Sequence, residues 1–122
     1  LAYDPEFNVL YRNRGDGTFE DISEAAGIRI PGHRGMSVTP IDYDLDGHPD
    51  LYVSNDATPN LLLRNDGQGR FEDVGMQTGV AFNGFGKAEG SMGACVGDVN
   101  GDGVVNLLDL NLVLSQFGNA CP

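Results

Sequence analysis

The sequence has little positive charge, little cysteine and no long apolar run, and each shortage excludes a class of protein. Lysine and arginine number 7 against 18 aspartates and glutamates, so the formal net charge is −11. The phosphate backbone would repel such a chain, and nucleic acid is therefore excluded as a partner. The sequence offers no membrane span. The two cysteines lack CxxC spacing and the two histidines do not cluster, which argues against a zinc site.

Glycine, by contrast, is abundant, with 18 residues in a chain of 122. This content is typical of tight turns and short strands rather than of a mostly helical protein. Apolar residues make up 40% of the sequence, which is enough to build the core of one domain.

The chain repeats itself in two elements. Residues 8–23 (NVLYRNRGDGTFEDIS) match residues 60–75 (NLLLRNDGQGRFEDVG), and residues 36–47 (MSVTPIDYDLDG) match residues 92–103 (MGACVGDVNGDG). Such repetition indicates an architecture of stacked units. Because Leu1 falls inside a repeat, we expect the chain to be a piece of a longer protein or a processed product.

Each unit is expected to contain four short strands. The strands predicted for the first unit are Val9–Arg12, Thr18–Ile22, Met36–Ile41 and Leu51–Ser54. The turn at Gly15 joins the first two strands, because glycine adopts the positive φ that such turns require. Four strands in about fifty residues are typical of a propeller blade.

The predicted fold is therefore mainly β, with antiparallel propeller-type blades that form a partial propeller. Two blades cannot close a ring, and they would leave sheet edges exposed. We expect the missing blades in a full-length chain, or self-association, to cover these edges.

The first Asp-rich loop, residues 42–50, has the sequence DYDLDGHPD. Carboxylates packed this closely repel one another unless a cation neutralises them. Ca²⁺ takes about six to eight oxygen ligands, whereas Mg²⁺ usually keeps several waters, so we predict a calcium site rather than an acidic turn without an ion. The predicted ligands are Asp42, Asp44, Asp46, Asp50 and the backbone carbonyl of His48.

The second loop, residues 98–109, has the sequence DVNGDGVVNLLD. This is the twelve-residue spacing of an EF-hand, with Asp in place of Glu at the last position. The predicted calcium ligands are Asp98, Asn100, Asp102, Asn106, Asp109 and the backbone carbonyl of Val104.

The tail that follows has apolar residues at helical spacing and a glycine stop at Gly118. We therefore predict a helix over residues 106–117, with Asp109 in its first turn. The chain is accordingly divided into β-propeller repeats over residues 1–96 and an EF-hand-like loop and helix over residues 97–122.

Two known families share these patterns. The sequence N-x-L-x-R-N-x-G-x-G-x-F-x-D, followed by D-x-D-x-D-G-x-x-D-L-Y-V-x-N, resembles the FG-GAP/VCBS repeat and, among its members, bacterial proteins of the ASPIC/UnbV type. The resemblance covers about residues 8–103. It implies a propeller of about seven blades like that of integrin α subunits, with calcium in blade loops and a secreted or cell-surface location.

The tail has a resemblance of its own. Residues 97–118, GDVNGDGVVNLLDLNLVLSQFG, resemble a dockerin type I repeat. That resemblance implies calcium-dependent folding and docking on a cohesin-type partner. The chain departs from the dockerin pattern in two ways. Dockerins normally carry two loop–helix repeats, whereas this chain has one. In addition, the segment Met92–Val96, just before the tail, matches the propeller strand Met36–Ile41.

The leading functional hypothesis is a calcium-binding extracellular repeat module with a structural or adhesion role and a protein or polysaccharide partner. One alternative is a dockerin-like module that anchors a secreted protein, and another is the accessory propeller of a secreted hydrolase. The serines, His33 and His48 lack a nucleophile-elbow context, and aspartates committed to a cation are poor general acids or bases. We therefore expect a module that is not an enzyme.

The two cysteines allow two interpretations. In an oxidising extracellular setting Cys95 and Cys121 can pair. The bridge would close a loop of about 26 residues and contribute roughly 3 kcal/mol in the chain-entropy picture. Alternatively, Cys95 is a small buried strand residue and Cys121 a free thiol in the tail.

Overall fold

The computed structural model describes residues 6–107 and residue 109. These residues form two antiparallel sheets and a short helix, which confirms the predicted mainly β fold of propeller-type blades. The elements are β1 (Tyr11–Asn13), β2 (Phe19–Asp21), β3 (Gly35–Ile41), β4 (Asp50–Asn55), β5 (Leu61–Asn65), β6 (Phe71–Asp73) and α1 (Gly75–Thr78). Within this part of the chain, no helix is long and apolar enough to cross a bilayer.

The sheet β3-β4-β5-β6 is one complete blade in which each strand pairs antiparallel with the next. The first loop joins β3 to β4, and Ile41 pairs with Asp50 where the loop closes. Along its other edge β4 pairs with β5, where Tyr52 lies opposite Leu62. This order places the first Asp-rich loop at one end of the blade, beside the residues that end β5.

The hairpin β1-β2 is the equivalent of β5-β6 in the preceding unit. The amide of Ile22 donates to the Leu10 carbonyl at 3.0 Å, and 52 residues later the amide of Val74 donates to the Leu62 carbonyl at 2.8 Å. The sequence repeat is therefore also a repeat of hydrogen bonds. Among the described residues, β1 has no partner on the side where β5 pairs with β4.

The two central strands of the blade, β4 and β5, are buried on both faces. Successive residues of a strand point to opposite sides of the sheet, so β4 and β5 contribute to two separate apolar clusters. One cluster contains Ile41, Tyr52, Leu62 and Val80. The other contains Ala26, Ile28, Val53, Leu61 and Leu63. Burial of each large side chain contributes about 1.5–3 kcal/mol, so the blade is the main source of stability.

The segment Met92–Val96, which matches β3 in sequence, is not a strand. It crosses one face of the blade, where the Thr39 hydroxyl donates to the Ala94 carbonyl at 2.9 Å. In the first unit β3 is held by β4, whereas after the second loop Leu107 and Asp109 have helical backbone. Because a strand requires a neighbour for its backbone hydrogen bonds, the matching sequence does not form one here.

The remaining predictions for the tail are only partly described. Of the helix predicted over residues 106–117, Leu107 and Asp109 are helical and the rest lies outside the described residues. Cys95 is exposed, so the alternative of a buried strand cysteine is wrong. Its predicted pairing with Cys121 lies outside the described residues, and the domain boundary between residues 96 and 97 stays a prediction.

Leu62 tests the assignment of the core. It is 0% exposed, and we expect Leu62→Ala to lower the free energy of unfolding by about 2–5 kcal/mol, because apolar contacts are lost and a cavity remains. Urea unfolding followed by circular dichroism measures the change. Met76→Ala on α1, where the side chain is 65% exposed, is the control and should change stability by less than about 0.5 kcal/mol. Equal losses in both variants would contradict this core.

Candidate metal centre

The first loop is wound by backbone amides that donate to its own carboxylates. The two oxygens of Asp42 accept hydrogen bonds from the amides of Asp46, at 3.1 Å, and Gly47, at 3.0 Å. Asp46 in turn accepts from the amide of His48 at 2.9 Å. Gly47 has a φ of 87°, which glycine adopts without strain and which turns the chain sharply. The loop therefore curls around its own carboxylate oxygens.

Asp50 closes the loop from inside the protein. The carboxylate is 0% exposed, accepting from the Asn65 amide at 2.7 Å and from the Tyr43 amide at 3.1 Å. Burial raises the pKa of Asp50, and the nearby charge of Asp44 adds to the rise, while the two amide hydrogen bonds lower it without cancelling it. No basic side chain of the described residues pairs with Asp50. A bound cation would supply the missing positive charge.

The second loop repeats the hydrogen bonds that wind the first loop, and it adds one from the Gly101 amide to Asp98 at 2.8 Å. Its first residue, Asp98, accepts from the amide of Asp102 at 3.1 Å and from the amide of Gly103 at 2.8 Å. Asp102 accepts from the amide of Val104 at 2.9 Å. Gly103 again has a positive φ, here 84°. The two loops therefore share one local structure, although one leads to a strand and the other to a helical turn.

Asp109, and not Asn106, takes the place of Asp50. Asp109 is 2% exposed and accepts from the Val99 amide at 2.9 Å, as Asp50 accepts from the amide of Tyr43. Its other oxygen accepts from the Asn106 amide at 2.9 Å. This hydrogen bond is the largest cause that lowers the pKa of Asp109. Sequence alignment places Asn106 opposite Asp50, so this equivalence was missed.

The carboxylates converge in two groups. Within each group, oxygens of all three side chains lie within 4.8 Å of one another, and the groups are Asp42, Asp44, Asp50 and Asp98, Asp102, Asp109. Asn100 corresponds to Asp44, because each accepts the amide of the residue two positions later, at 3.1 Å and 3.3 Å. The donors are oxygen atoms without sulfur, which suits a hard cation such as Ca²⁺. The residues present therefore fit calcium.

Four of the predicted ligands lie differently from this pattern or stay untested. Asp46 is outside the first group, and one of its oxygens is 3.7 Å from Arg64. The side chain of His48 is exposed and its ring lies against Gly67, while its carbonyl, like that of Val104, stays a predicted ligand. The side chain of Asn106 also stays a predicted ligand.

Arg64 is the functional residue that the sequence analysis missed. Its Nε donates to Asp44 at 3.0 Å, which brings a positive charge to the edge of the first carboxylate group. Burial raises the pKa of Asp44, but the hydrogen bonds from Arg64 and from the Asp46 amide outweigh it and leave the pKa lowered. The available signal was the recurrence of arginine at equivalent positions, Arg12 and Arg64, in the repeated hairpin.

Comparison with known proteins agrees with the internal repeat found in the sequence. Residues 1–53 and 42–108 each match the model of the FG-GAP-like repeat, and the overlap contains the first loop. The chain belongs to the FG-GAP-like repeat family. Within this family it is similar to cartilage acidic protein 1, at 37% identity over 70 residues of the human protein and 34% over 73 residues of the Xenopus tropicalis protein. These matches cover 55% and 57% of the chain and 11% of each relative, so the chain spans about a tenth of their length.

The Asp50 carboxylate can be tested without metal. An amide at this position has one oxygen, so in Asp50→Asn one of the two buried amides loses its acceptor. We expect the free energy of unfolding in a chelator to fall by about 1–3 kcal/mol, as measured by urea titration. The control is Glu72→Gln, which makes the same change of charge at an exposed position of β6. An Asp50→Asn variant as stable as Glu72→Gln would show that these hydrogen bonds are unimportant.

Proposed function

We propose that the chain is a calcium-binding module of an FG-GAP-like repeat protein, in which each Asp-rich loop holds one Ca²⁺. The observation that carries this proposal is that the first six residues of both loops curl in the same way around the oxygens of their first aspartate. An acidic turn needs no cation when its carboxylates face solvent, but here each loop has one carboxylate, Asp50 or Asp109, that is almost completely buried. Burial of the Asp50 charge is costly because its two amide hydrogen bonds do not fully compensate it, and a cation would remove the remaining cost.

The proposed ligands divide between side chains and carbonyls. In the first loop they are Asp42, Asp44, Asp46, Asp50 and the carbonyl of His48. In the second loop they are Asp98, Asn100, Asp102, Asp109 and the carbonyl of Val104, with Asn106 as a further oxygen donor. Each set approaches the number of oxygens that Ca²⁺ takes, and water can complete it.

The role of the ion in this proposal is structural. The first loop joins β3 to β4 and contacts β5 through Asp50, so an ion there fixes three strands of the blade. Extracellular modules bind calcium with Kd values of about 10⁻⁴–10⁻³ M, which matches a setting rich in the ion. The net charge of −11 and the similarity to a protein named for cartilage support a secreted or cell-surface location.

The module would act by presenting a surface rather than by catalysis. The aspartates of both loops accept backbone hydrogen bonds and are proposed to bind the ion, so they are unsuited to general acid–base chemistry. A protein or polysaccharide partner is proposed. Membership of the ASPIC/UnbV type and an accessory role beside a hydrolase stay hypotheses, and an activity screen of the full-length protein tests the second.

A dockerin-like anchor is the second candidate, and one observation favours it. The second loop places its last carboxylate at position 12, as an EF-hand does, and the chain is helical at Leu107 and Asp109. A cohesin-type partner on beads should capture the chain in calcium and release it in a chelator if this candidate is correct. The leading proposal expects no capture in either condition.

Melting curves test the calcium proposal. Calcium should raise the melting temperature by several degrees, because an ion at about 100 times its Kd contributes about 2.7 kcal/mol per site. We expect Asp42→Asn and Asp98→Asn each to lose part of this rise and the double variant to lose nearly all of it. Differential scanning calorimetry in calcium and in chelator measures the rise for each variant.

Glu72→Gln is the control for net charge and should keep the full rise. Magnesium at the same concentration should give a smaller rise, since it keeps its waters more strongly. Identical melting curves in calcium and chelator for the unaltered chain would refute the proposal.

A further inference from the structure

The first loop has a cation of its own in the side chain of Arg64. The residue lies on β5, and its Nε is 3.0 Å from one Asp44 oxygen, while its Nη2 is 3.7 Å from Asp46. These side chains are only partly exposed, at 44% for the arginine and 24% and 28% for the two aspartates. The guanidinium therefore bridges the two carboxylates at the outer edge of the loop.

The second loop provides a comparison within the same chain. Asn100 stands where the first loop has Asp44, and among the described residues no arginine or lysine forms a salt bridge with the loop. Asp102 joins the carboxylate group of its loop, whereas its counterpart Asp46 does not. This difference between Asp46 and Asp102 agrees with the position of Arg64, whose guanidinium lies close to the Asp46 carboxylate.

The two loops consequently carry the same charge. The first has four aspartates and one bound arginine, and the second has three aspartates and an asparagine in place of the fourth. Each therefore has a net charge of −3. The extra carboxylate of the first loop and the arginine occur together, and the loop that lacks one lacks the other.

We propose that Arg64 acts as a built-in counter-ion for Asp44, which holds the first loop closed when calcium is absent and weakens calcium binding when it is present. The inference rests on the proposed calcium sites. Without the ion, Arg64 offsets repulsion among the loop carboxylates. With the ion, the same positive charge repels a divalent cation a few ångströms away. One side chain thus makes the first loop less dependent on calcium than the same loop would be without Arg64.

The variant Arg64→Gln separates these two effects because they have opposite signs. In a chelator its melting temperature should be lower than that of the unaltered chain. In calcium the affinity of the first loop should rise about tenfold, the size expected when one unit charge near a divalent ion is removed at a partly exposed site. A purely structural role of Arg64 would lower stability and calcium affinity together.

Nuclear magnetic resonance can follow each loop separately in the intact chain. The amides of Gly47 and Gly103 donate to the first aspartate of their own loops, so their signals report on the first and second site respectively. In a calcium titration of Arg64→Gln, the Gly47 curve should shift to lower calcium concentration. The Gly103 curve should not move, and it serves as the internal control.

Three further variants act as matched controls. Arg70→Gln removes the same charge from the same hairpin, and we expect less than about a twofold change, because screening weakens the more distant charge. Arg64→Lys keeps the charge and should keep the affinity within about twofold. Asp44→Asn with Arg64→Gln removes a proposed ligand together with the arginine, so it should bind calcium less tightly than Arg64→Gln alone.

The possible results distinguish the proposed role of Arg64 from the proposed calcium sites on which it rests. If both glycine signals respond to calcium but the Gly47 curve is unchanged or moves to higher concentration in Arg64→Gln, the role of Arg64 is refuted and the calcium sites stand. If neither signal responds in any variant, both are refuted.

Discussion

The position of the first loop on the blade depends on one buried carboxylate, that of Asp50. Its two oxygens accept amide hydrogen bonds from Tyr43, inside the Asp-rich loop, and from Asn65, at the end of β5. One side chain thereby joins the loop, the first residue of β4 and the neighbouring strand. A charge in such a place is costly unless it is compensated. The amides of Tyr43 and Asn65 supply part of this compensation, and the cation proposed for the neighbouring oxygen atoms would supply the rest.

Local signals in the sequence predicted the positions of strands but not their grouping, because the expected first unit is divided between the hairpin β1-β2 and the sheet β3-β4-β5-β6. The alternation of apolar residues gave strands at Met36–Ile41 and Leu51–Ser54, which lie within the observed β3 and β4. The turn at Gly15 was predictable because residues other than glycine rarely adopt a positive φ. Gly15 has a φ of 81° in the structure. The winding of both Asp-rich loops follows from residues within a few positions of one another. These features are specified by neighbours in sequence and do not depend on the rest of the fold.

Features that depend on distant residues were missed. Met92–Val96 matches β3 in sequence but has no neighbouring strand equivalent to β4. A strand forms only when its backbone can hydrogen-bond to such a neighbour. Arg64 reaches Asp44 across 20 positions of sequence because β5 pairs with β4, which no spacing rule shows. The structural equivalence of Asp109 with Asp50 was not predicted for a related reason. Alignment by residue number places Asn106 opposite Asp50, whereas in the folded chain Asp109 occupies the corresponding position.

The equivalence of Asp50 and Asp109 also explains why the two loops differ in spacing. Both loops share the winding of their first six residues, and they differ in how the chain leaves. An extended chain advances about 3.3 Å per residue and a helix about 1.5 Å, so a chain that turns into a helix needs more residues before a carboxylate reaches the same place. The last aspartate is accordingly the ninth residue in the first loop and the twelfth in the second. The spacings typical of FG-GAP-like and EF-hand-like loops are, in this chain, two ways to complete the same carboxylate group.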